Sequence, residues 1–310
     1  MKCDKFCLQV PPPSTWEKPL AHVEAMVPWS EPHFCTRLHT PRRTLDFQYT
    51  LEPVAFRGKS KHHALVLLVA PRPEDRLAVT LESLKLGGLD SWIGPKIVFA
   101  DGYTGELPSD WIHVRLPVVG GSAVAFVSAL RYATANDPNL ESLTLIEDDI
   151  EVCKHALDYM ARVTVPRDVA FVSWFTYDYD FSFPGQQQLQ HPSLSSGPVL
   201  AIRSSRYFIL TQACTFSRTT IDRLLACPHI TGSWPKLNSH DEMIGWALGD
   251  ALYAVHFPIL VQHTGGLNSA VLLSRGTPLT ESDDPQASAR TSPFFAGSDF
   301  DTRLLLPLSD

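Results

Sequence analysis

Along this chain, apolar residues gather into short unbroken runs separated by segments of helical period. His63-Ala64-Leu65-Val66-Leu67-Leu68-Val69-Ala70 is too continuous for a strand with one wet face and predicts a strand covered on both sides. Pro71-Arg72-Pro73 ends it. Glu74 to Leu86 carries Leu77, Leu81 and Leu84 at helical spacing and stops at Gly87-Gly88, so a helix is expected there. A second run, Lys96-Ile97-Val98-Phe99-Ala100, closes at Asp101-Gly102 and completes a strand–helix–strand unit.

The alternation continues downstream. Trp111 to Leu116 predicts a strand, Gly120-Gly121 introduces a helix over Ser122 to Ala135, and Pro138-Asn139 precedes a strand at Leu143-Thr144-Leu145-Ile146. Val152 to Met160 is expected to be helical, Val169 to Trp174 a strand, Ala201-Ile202-Arg203 a further strand, and Ser217-Arg218-Thr219-Thr220 a helix start. Asn238-Ser239-His240-Asp241-Glu242 opens another helix through Leu248, and Tyr253-Ala254-Val255 and Ile259-Leu260-Val261 are late strand pieces. Strands alternating with helices define an α/β fold, a sheet flanked by helices with ligand-binding groups expected at the carboxyl ends of its strands.

The same reading divides the chain in three. Residues 1–60 are broken by Pro11-Pro12-Pro13, Pro19, Pro28, Pro32 and Pro41, yet carry Trp16, Trp29, Phe34, Phe47, Tyr49 and Phe56, which predicts a proline-rich arm packed on the core. Residues 61–273 form the main unit. Residues 274–310 form a tail, Ser/Thr/Pro-rich at first and packed back through Phe294-Phe295 to Leu306. The aromatic and acidic stretch Phe175 to Phe181 is either a loop over a substrate or a packed aromatic edge.

Composition narrows the function classes. With 44% hydrophobic and 19% charged residues the chain is globular, and its net charge of -7 gives no general reason to bind nucleic acid. Six cysteines, at 3, 7, 35, 153, 214 and 227, are too dispersed for a disulfide framework, and the Cys3–Cys7 spacing finds no second pair for a zinc site. The first ten residues lack the features of a secretory signal, and no apolar segment approaches a membrane span. If the chain is complete, the expectation is a soluble, cytoplasmic protein; a Golgi-lumen setting would require a targeting segment outside it.

The chemistry centres on Glu147-Asp148-Asp149, three carboxylates directly after an apolar strand. Dehydrating such charges is costly, and a divalent cation would stabilise them: Mg²⁺ or Mn²⁺ bridges a protein carboxylate to a diphosphate. Asp149 is the expected metal ligand, with Glu147 and Asp148 near the ribose, the sugar or metal-bound water. The alternative is an acidic turn that caps the following helix. His263, after the late strand, is the candidate second ligand, and Gly265-Gly266 would let backbone approach the diphosphate. Asp241 and Glu242 are candidate bases for an acceptor hydroxyl, Asp241 first, with helix capping as its competitor and His240 ranked third. Arg72 and Arg76 are candidates for phosphate or nucleotide contact.

Together these motifs resemble the GT-A-fold glycosyltransferases, in particular the N-acetylglucosaminyltransferase IV family. Leu143-Thr144-Leu145-Ile146-Glu147-Asp148-Asp149-Ile150-Glu151-Val152 is similar to that family's strand followed by EDDI. Gln262-His263-Thr264-Gly265 with Asn268-Ser269 is similar to its QHVG segment and serine pair, Asn268 being a departure. The resemblance spans roughly residues 60–275. It implies a GT-A-like nucleotide-sugar-binding sheet closely joined to an acceptor-binding portion, and inverting, Mn²⁺-dependent transfer of N-acetylglucosamine from a UDP-sugar to a glycan. Asp149 would hold the metal, Asp148 the nucleotide sugar, and His263 the metal or diphosphate, with Asp241 as base. Two other classes remain compatible with the residues: a metal-dependent nucleotidyltransferase or phosphohydrolase, and an inactive fold that binds carbohydrate or serves as a scaffold.

Overall fold

A computed structural model describes residues 50–72, 76–116, 120–176, 197–204, 208, 211–227, 240–249, 251–264, 292 and 294–307. In chain order the elements are β1 (Thr50–Pro53), β2 (His63–Val69), α1 (Leu77–Leu86), β3 (Lys96–Asp101), β4 (Ile112–Leu116), α2 (Ser122–Asn136), β5 (Ser142–Glu147), β6 (Ile150–Val152) and α3 (Ala156–Met160). They continue with β7 (Val169–Ser173), β8 (Val199–Ser204), β9 (Ala213–Ser217), α4 (Arg218–Ala226), α5 (His240–Leu248), β10 (Leu252–Phe257) and β11 (Val261–His263).

Among the described residues, nine strands form one mixed sheet in the order β1-β8-β10-β7-β9-β5-β2-β3-β4, and β11 with β6 forms a separate ribbon. The strands β5, β2, β3 and β4 run parallel. Next to them β9 lies antiparallel between β5 and β7. Every residue of β2 is buried, which accounts for its unbroken apolar run. The chain steps outward from β2 to β3 and β4, then returns past all three to β5. Right-handed crossovers therefore put α1 and α2 on opposite faces of the sheet. This is the helix-flanked α/β sheet expected from the sequence.

Two local expectations, at 152–160 and at 259–261, are revised. The stretch 152–160 is helical only over α3, because Ile150-Glu151-Val152 pairs with β11 instead, Val152 opposite Val261 and Ile150 opposite His263. Ile259 and Leu260 are buried connecting residues, and the strand is displaced to Val261–His263. Thr50–Pro53, on the near side of residue 60, pairs antiparallel with β8 at the edge of the main sheet, where a proline costs no ladder bond. Residues 1–49 lie outside the described set. At the other end Phe294 is buried, the Ala296 N–H donates to the Ile259 carbonyl, and Lys154 bridges to Asp301.

The sheet interior carries polar groups whose hydrogen-bond directions can be derived. Trp174 Nε1, a donor only, bonds to Thr215 Oγ1 at 2.8 Å; Thr215 lies 2.7 Å from Thr144 Oγ1, and Thr144 lies 2.8 Å from His63 Nε2. Trp174 donates to Thr215, and Thr215, Thr144 and the His63 ring continue a buried hydrogen-bonded chain that holds the ring in place. His256 is similarly fixed: Nδ1 donates to the Pro258 carbonyl and Nε2 accepts from the Tyr159 hydroxyl, both at 2.8 Å. Burial, with the nearby Arg57 charge, pushes the His63 pKa down to about 3, and burial pushes that of His256 down to about 4.

Both rings are neutral in the fold, whereas the unfolded chain takes up their protons near pH 6.5. Their stabilising contribution is complete above that value and is lost as pH falls toward the folded pKa values, at about 1.4 kcal/mol per pH unit for each ring. Replacing the pair with Tyr159→Phe and His256→Phe should flatten the pH dependence of unfolding free energy by about that amount per unit between about pH 6 and about pH 4.5. Urea titrations that give equal slopes for both proteins would contradict the assignment.

Candidate functional site

The step from β2 outward to β3, with β5 on the other side, makes the gap between β2 and β5 a topological switch point. Crevices outside the carboxyl ends of strands at such points are where open α/β sheets bind ligands. Arg72, two residues past Ala70, and the Asp148-Asp149 turn meet there. Asp148 Oδ2 accepts the Ala70 N–H at 3.0 Å, while Asp148 Oδ1 accepts from Arg72 Nε at 2.9 Å and Nη2 at 2.6 Å. Arg72 Nη1 lies 2.7 Å from Asp149 Oδ2, so one guanidinium faces both carboxylates. All three side chains are buried, with exposures of 7% for Arg72, 3% for Asp148 and 1% for Asp149.

Burial dominates the Asp148 carboxyl and pushes its pKa up to about 6 against the opposing pull of Arg72. Burial also acts to raise Asp149, but the His263 hydrogen bond and charge, followed by the Arg72 charge, hold it below the usual carboxylate range. Arg72 responds in kind: burial alone would lower its pKa, and Asp148 and Asp149 together raise it.

The turn bearing these acids is fastened from α1. The Thr80 hydroxyl donates to the Asp148 carbonyl at 2.8 Å, and Ser83 Oγ accepts the Val152 N–H at 2.8 Å. A side chain at Gly87 would place its Cβ 2.7 Å from a Val152 methyl, so the helix end must be glycine for β6 to approach. On the other side the ribbon supplies His263, whose Nε2 lies 3.0 Å from Asp149 Oδ2, and the Thr264 N–H donates to the Asp149 carbonyl at 2.8 Å. Gln262 closes around Ser292: its Oε1 accepts the Ser292 N–H at 2.6 Å and its Nε2 donates to the Ser292 carbonyl at 3.2 Å.

The sequence expectation of Asp149 and His263 as neighbours can be compared with a cation's requirements. Asp149 Oδ1 is buried without a hydrogen-bond partner among the described residues. Asp149 Oδ2 is hydrogen-bonded to His263 Nε2 at 3.0 Å and lies 2.7 Å from Arg72 Nη1, so Oδ1 is the carboxylate oxygen left open to an ion. No cluster of three His, Cys, Asp or Glu side chains suited to a metal occurs among the described residues. A donor set of this kind fits Mg²⁺ or Mn²⁺, which keep waters and share phosphate oxygens with the substrate, rather than a closed structural zinc site.

The other expected residues separate. Glu147 ends β5 and lies on the opposite side of the turn from Arg72's partners: its Oε1 accepts from the Thr211 hydroxyl at 3.3 Å and lies 3.3 Å from His240 Nε2. His240, Asp241 and Glu242 form the first turn of α5, and Asp241 is partly exposed. Arg76 occupies the N-cap position of α1. Gly265 and Gly266 lie outside the described residues. Gly120 and Gly121 turn their N–H groups onto the protein's own Asp101, at 2.6 and 2.8 Å, with Gly121 at a φ of 85°. The helix start that a diphosphate would seek there is thus already occupied. Asp101 and Thr211 carry no signal in the sequence, and for Thr80 and Ser83 the signal is two small polar residues three apart in the helix that Leu77, Leu81 and Leu84 define.

No protein-family model matches the chain, and no curated protein matches it in sequence. Among solved structures it is similar to the crystal structure of a glycosyltransferase involved in the glycosylation of the major capsid of PBCV-1. That likeness has 10% identity and a TM-score of 0.36, and covers 63% of this chain and 82% of the other.

Removing the charge that Arg72 places between two buried acids should destabilise the fold strongly. Arg72→Met is expected to lose about 3–5 kcal/mol in urea unfolding at pH 7, and Arg72→Lys to recover only part of it because one ammonium cannot face both carboxylates as the guanidinium does.

Proposed function

We propose that this protein transfers a sugar, with N-acetylglucosamine the first to test, from a UDP-sugar to a hydroxyl of a glycan or other acceptor, with inversion. The observation that carries the reading is the Asp149–His263 pair at the switch point, one of its carboxylate oxygens buried and unpartnered. It stands beside an arginine that faces Asp148 and Asp149 alike. A divalent ion on this pair would supply positive charge for a departing diphosphate.

The chain's own groups account for the rest. Arg72 and the Ala70 N–H hold Asp148 in a fixed orientation, so that its charge stands buried beside Asp149 at the strand ends. Asp241, partly exposed in the first turn of α5, accepts the proton of the acceptor hydroxyl as its oxygen bonds to the anomeric carbon. The bond to the diphosphate breaks with its electron pair on the leaving oxygen. Attack opposite the leaving group inverts the anomeric configuration.

The test is a screen of UDP-, GDP- and other activated sugars with Mn²⁺ against varied acceptors, read by product mass and anomeric configuration. A glycoside of inverted configuration is expected. Nucleotide incorporation or bare phosphate release would favour a nucleotidyltransferase or phosphohydrolase, and metal-independent glycan binding without donor consumption would favour a binding protein. Asp149→Asn and His263→Ala should each weaken Mn²⁺ affinity by at least about tenfold, measured by titration calorimetry, alongside the loss of turnover. Undiminished affinity in both variants would remove the pair from the site.

A further inference from the structure

We infer that His240 is a positioning residue, tying the first turn of α5 to the carboxyl end of β5 through Thr211 and Glu147 and so setting where Asp241 stands. As a statement about catalysis this rests on the glycosyl-transfer reading above; as a statement about the helix it does not.

Three elements hold the His240 ring. Its face stacks on Phe126 of α2, with centroids 5.4 Å apart and planes at 29°. Its Nε2 bonds to Thr211 Oγ1, in the segment leading into β9, and lies 3.3 Å from Glu147 Oε1 at the end of β5. The network fixes the proton. A carboxylate only accepts, and the Thr211 hydroxyl donates to Glu147, so what Thr211 offers the ring is a lone pair and Nε2 carries hydrogen. The result is a directed chain from His240 through Thr211 to Glu147. Glu147 is itself anchored, because its N–H donates to the Gln212 carbonyl and so prolongs the β5–β9 ladder.

An isolated buried histidine is satisfied by any acceptor. This one reaches the first carboxylate of the acidic cluster from the residue immediately before the proposed base. The surroundings agree with that placement. Burial pushes the pKa of the Cys214 thiol on β9 upward, and the negative charges of Glu147 and then Asp241 add to it. Because a helix is rigid, fixing its first residue fixes the second, and a base displaced by about 1 Å costs about 100-fold in rate.

The experiment compares His240→Ala, His240→Asn, His240→Gln and Thr211→Val in the full chain. The glutamine amide nitrogen takes the position of Nε2 and the asparagine amide that of Nδ1, so only glutamine can restore the link. Amide hydrogen exchange over α5 is expected to quicken at least tenfold in the alanine and asparagine variants and to return close to wild type in the glutamine variant. With UDP-N-acetylglucosamine, Mn²⁺ and a mannose-containing glycan, kcat should fall about 100-fold in the alanine and asparagine variants while the donor KM stays within about twofold. The glutamine variant should keep kcat within about threefold of wild type. Thr211→Val, nearly isosteric, should reproduce the loss in kcat and decides the matter if His240→Ala does not fold. Unchanged exchange in α5, or a folded glutamine variant as impaired as alanine, overturns the inference. If wild-type protein forms no glycoside with any donor, the transferase reading fails while the exchange data still decide the link.

Discussion

A guanidinium facing two adjacent buried carboxylates is a demanding arrangement. Each of the three ions has left water, at a cost of several kcal/mol per ion even after relaxation, and only close mutual contact offsets it. Arg72 therefore must arrive from β2 as Asp148 and Asp149 arrive from β5, and the turn between β5 and β6 must not drift. The remaining features of this end of the molecule serve that condition. Thr80 and Ser83 grip the turn from α1, the Gly87 backbone lets β6 come close, and the β6–β11 ribbon brings His263 to the far side of Asp149. Charges held in this way need little rearrangement when a charged ligand enters, which is the form in which electrostatic stabilisation is most effective.

The acidic triplet consequently splits its duties. Asp148 and Asp149 face the arginine and the ribbon, while Glu147 faces α5 across Thr211 and His240. Three consecutive residues thus join two sides of this sheet end, one built around Arg72 and His263 and the other around Thr211 and His240. A strand end makes this division possible, since successive side chains point to opposite sides and a turn then redirects the last of them.

Much of this was legible in the sequence where a periodic signal exists. β2, β3 and β5 were readable from unbroken apolar runs, and the position of Glu147-Asp148-Asp149 at a strand end followed from Leu143 to Ile146. The meeting of Asp149 with His263 was reachable only because both ended strand-like segments. The ribbon itself was not, since a three-residue strand has no period, and Val152, the last residue of β6, reads as the start of a helix that in fact begins at Ala156. Arg72 looked like one of two interchangeable basic residues; what distinguishes it from Arg76 is a tertiary contact. His240 was overshadowed by its acidic neighbours because its partners Thr211, Glu147 and Phe126 come from three distant parts of the chain. Pairing of Asp101 with Gly120 and Gly121 was equally invisible, as a glycine pair reads alike whether its amides await a ligand or already hold a carboxylate.

The clasp of Gln262 on Ser292 bears on how such a protein could diversify. One side-chain amide, adjacent to His263, holds two points of the chain against each other whatever lies between them in sequence. Once the ends of a segment are joined, doubling its length costs only about 0.6 kcal/mol of closure entropy. The intervening sequence can lengthen, shorten or change composition at little energetic cost, while Asp149 and His263 keep their spacing.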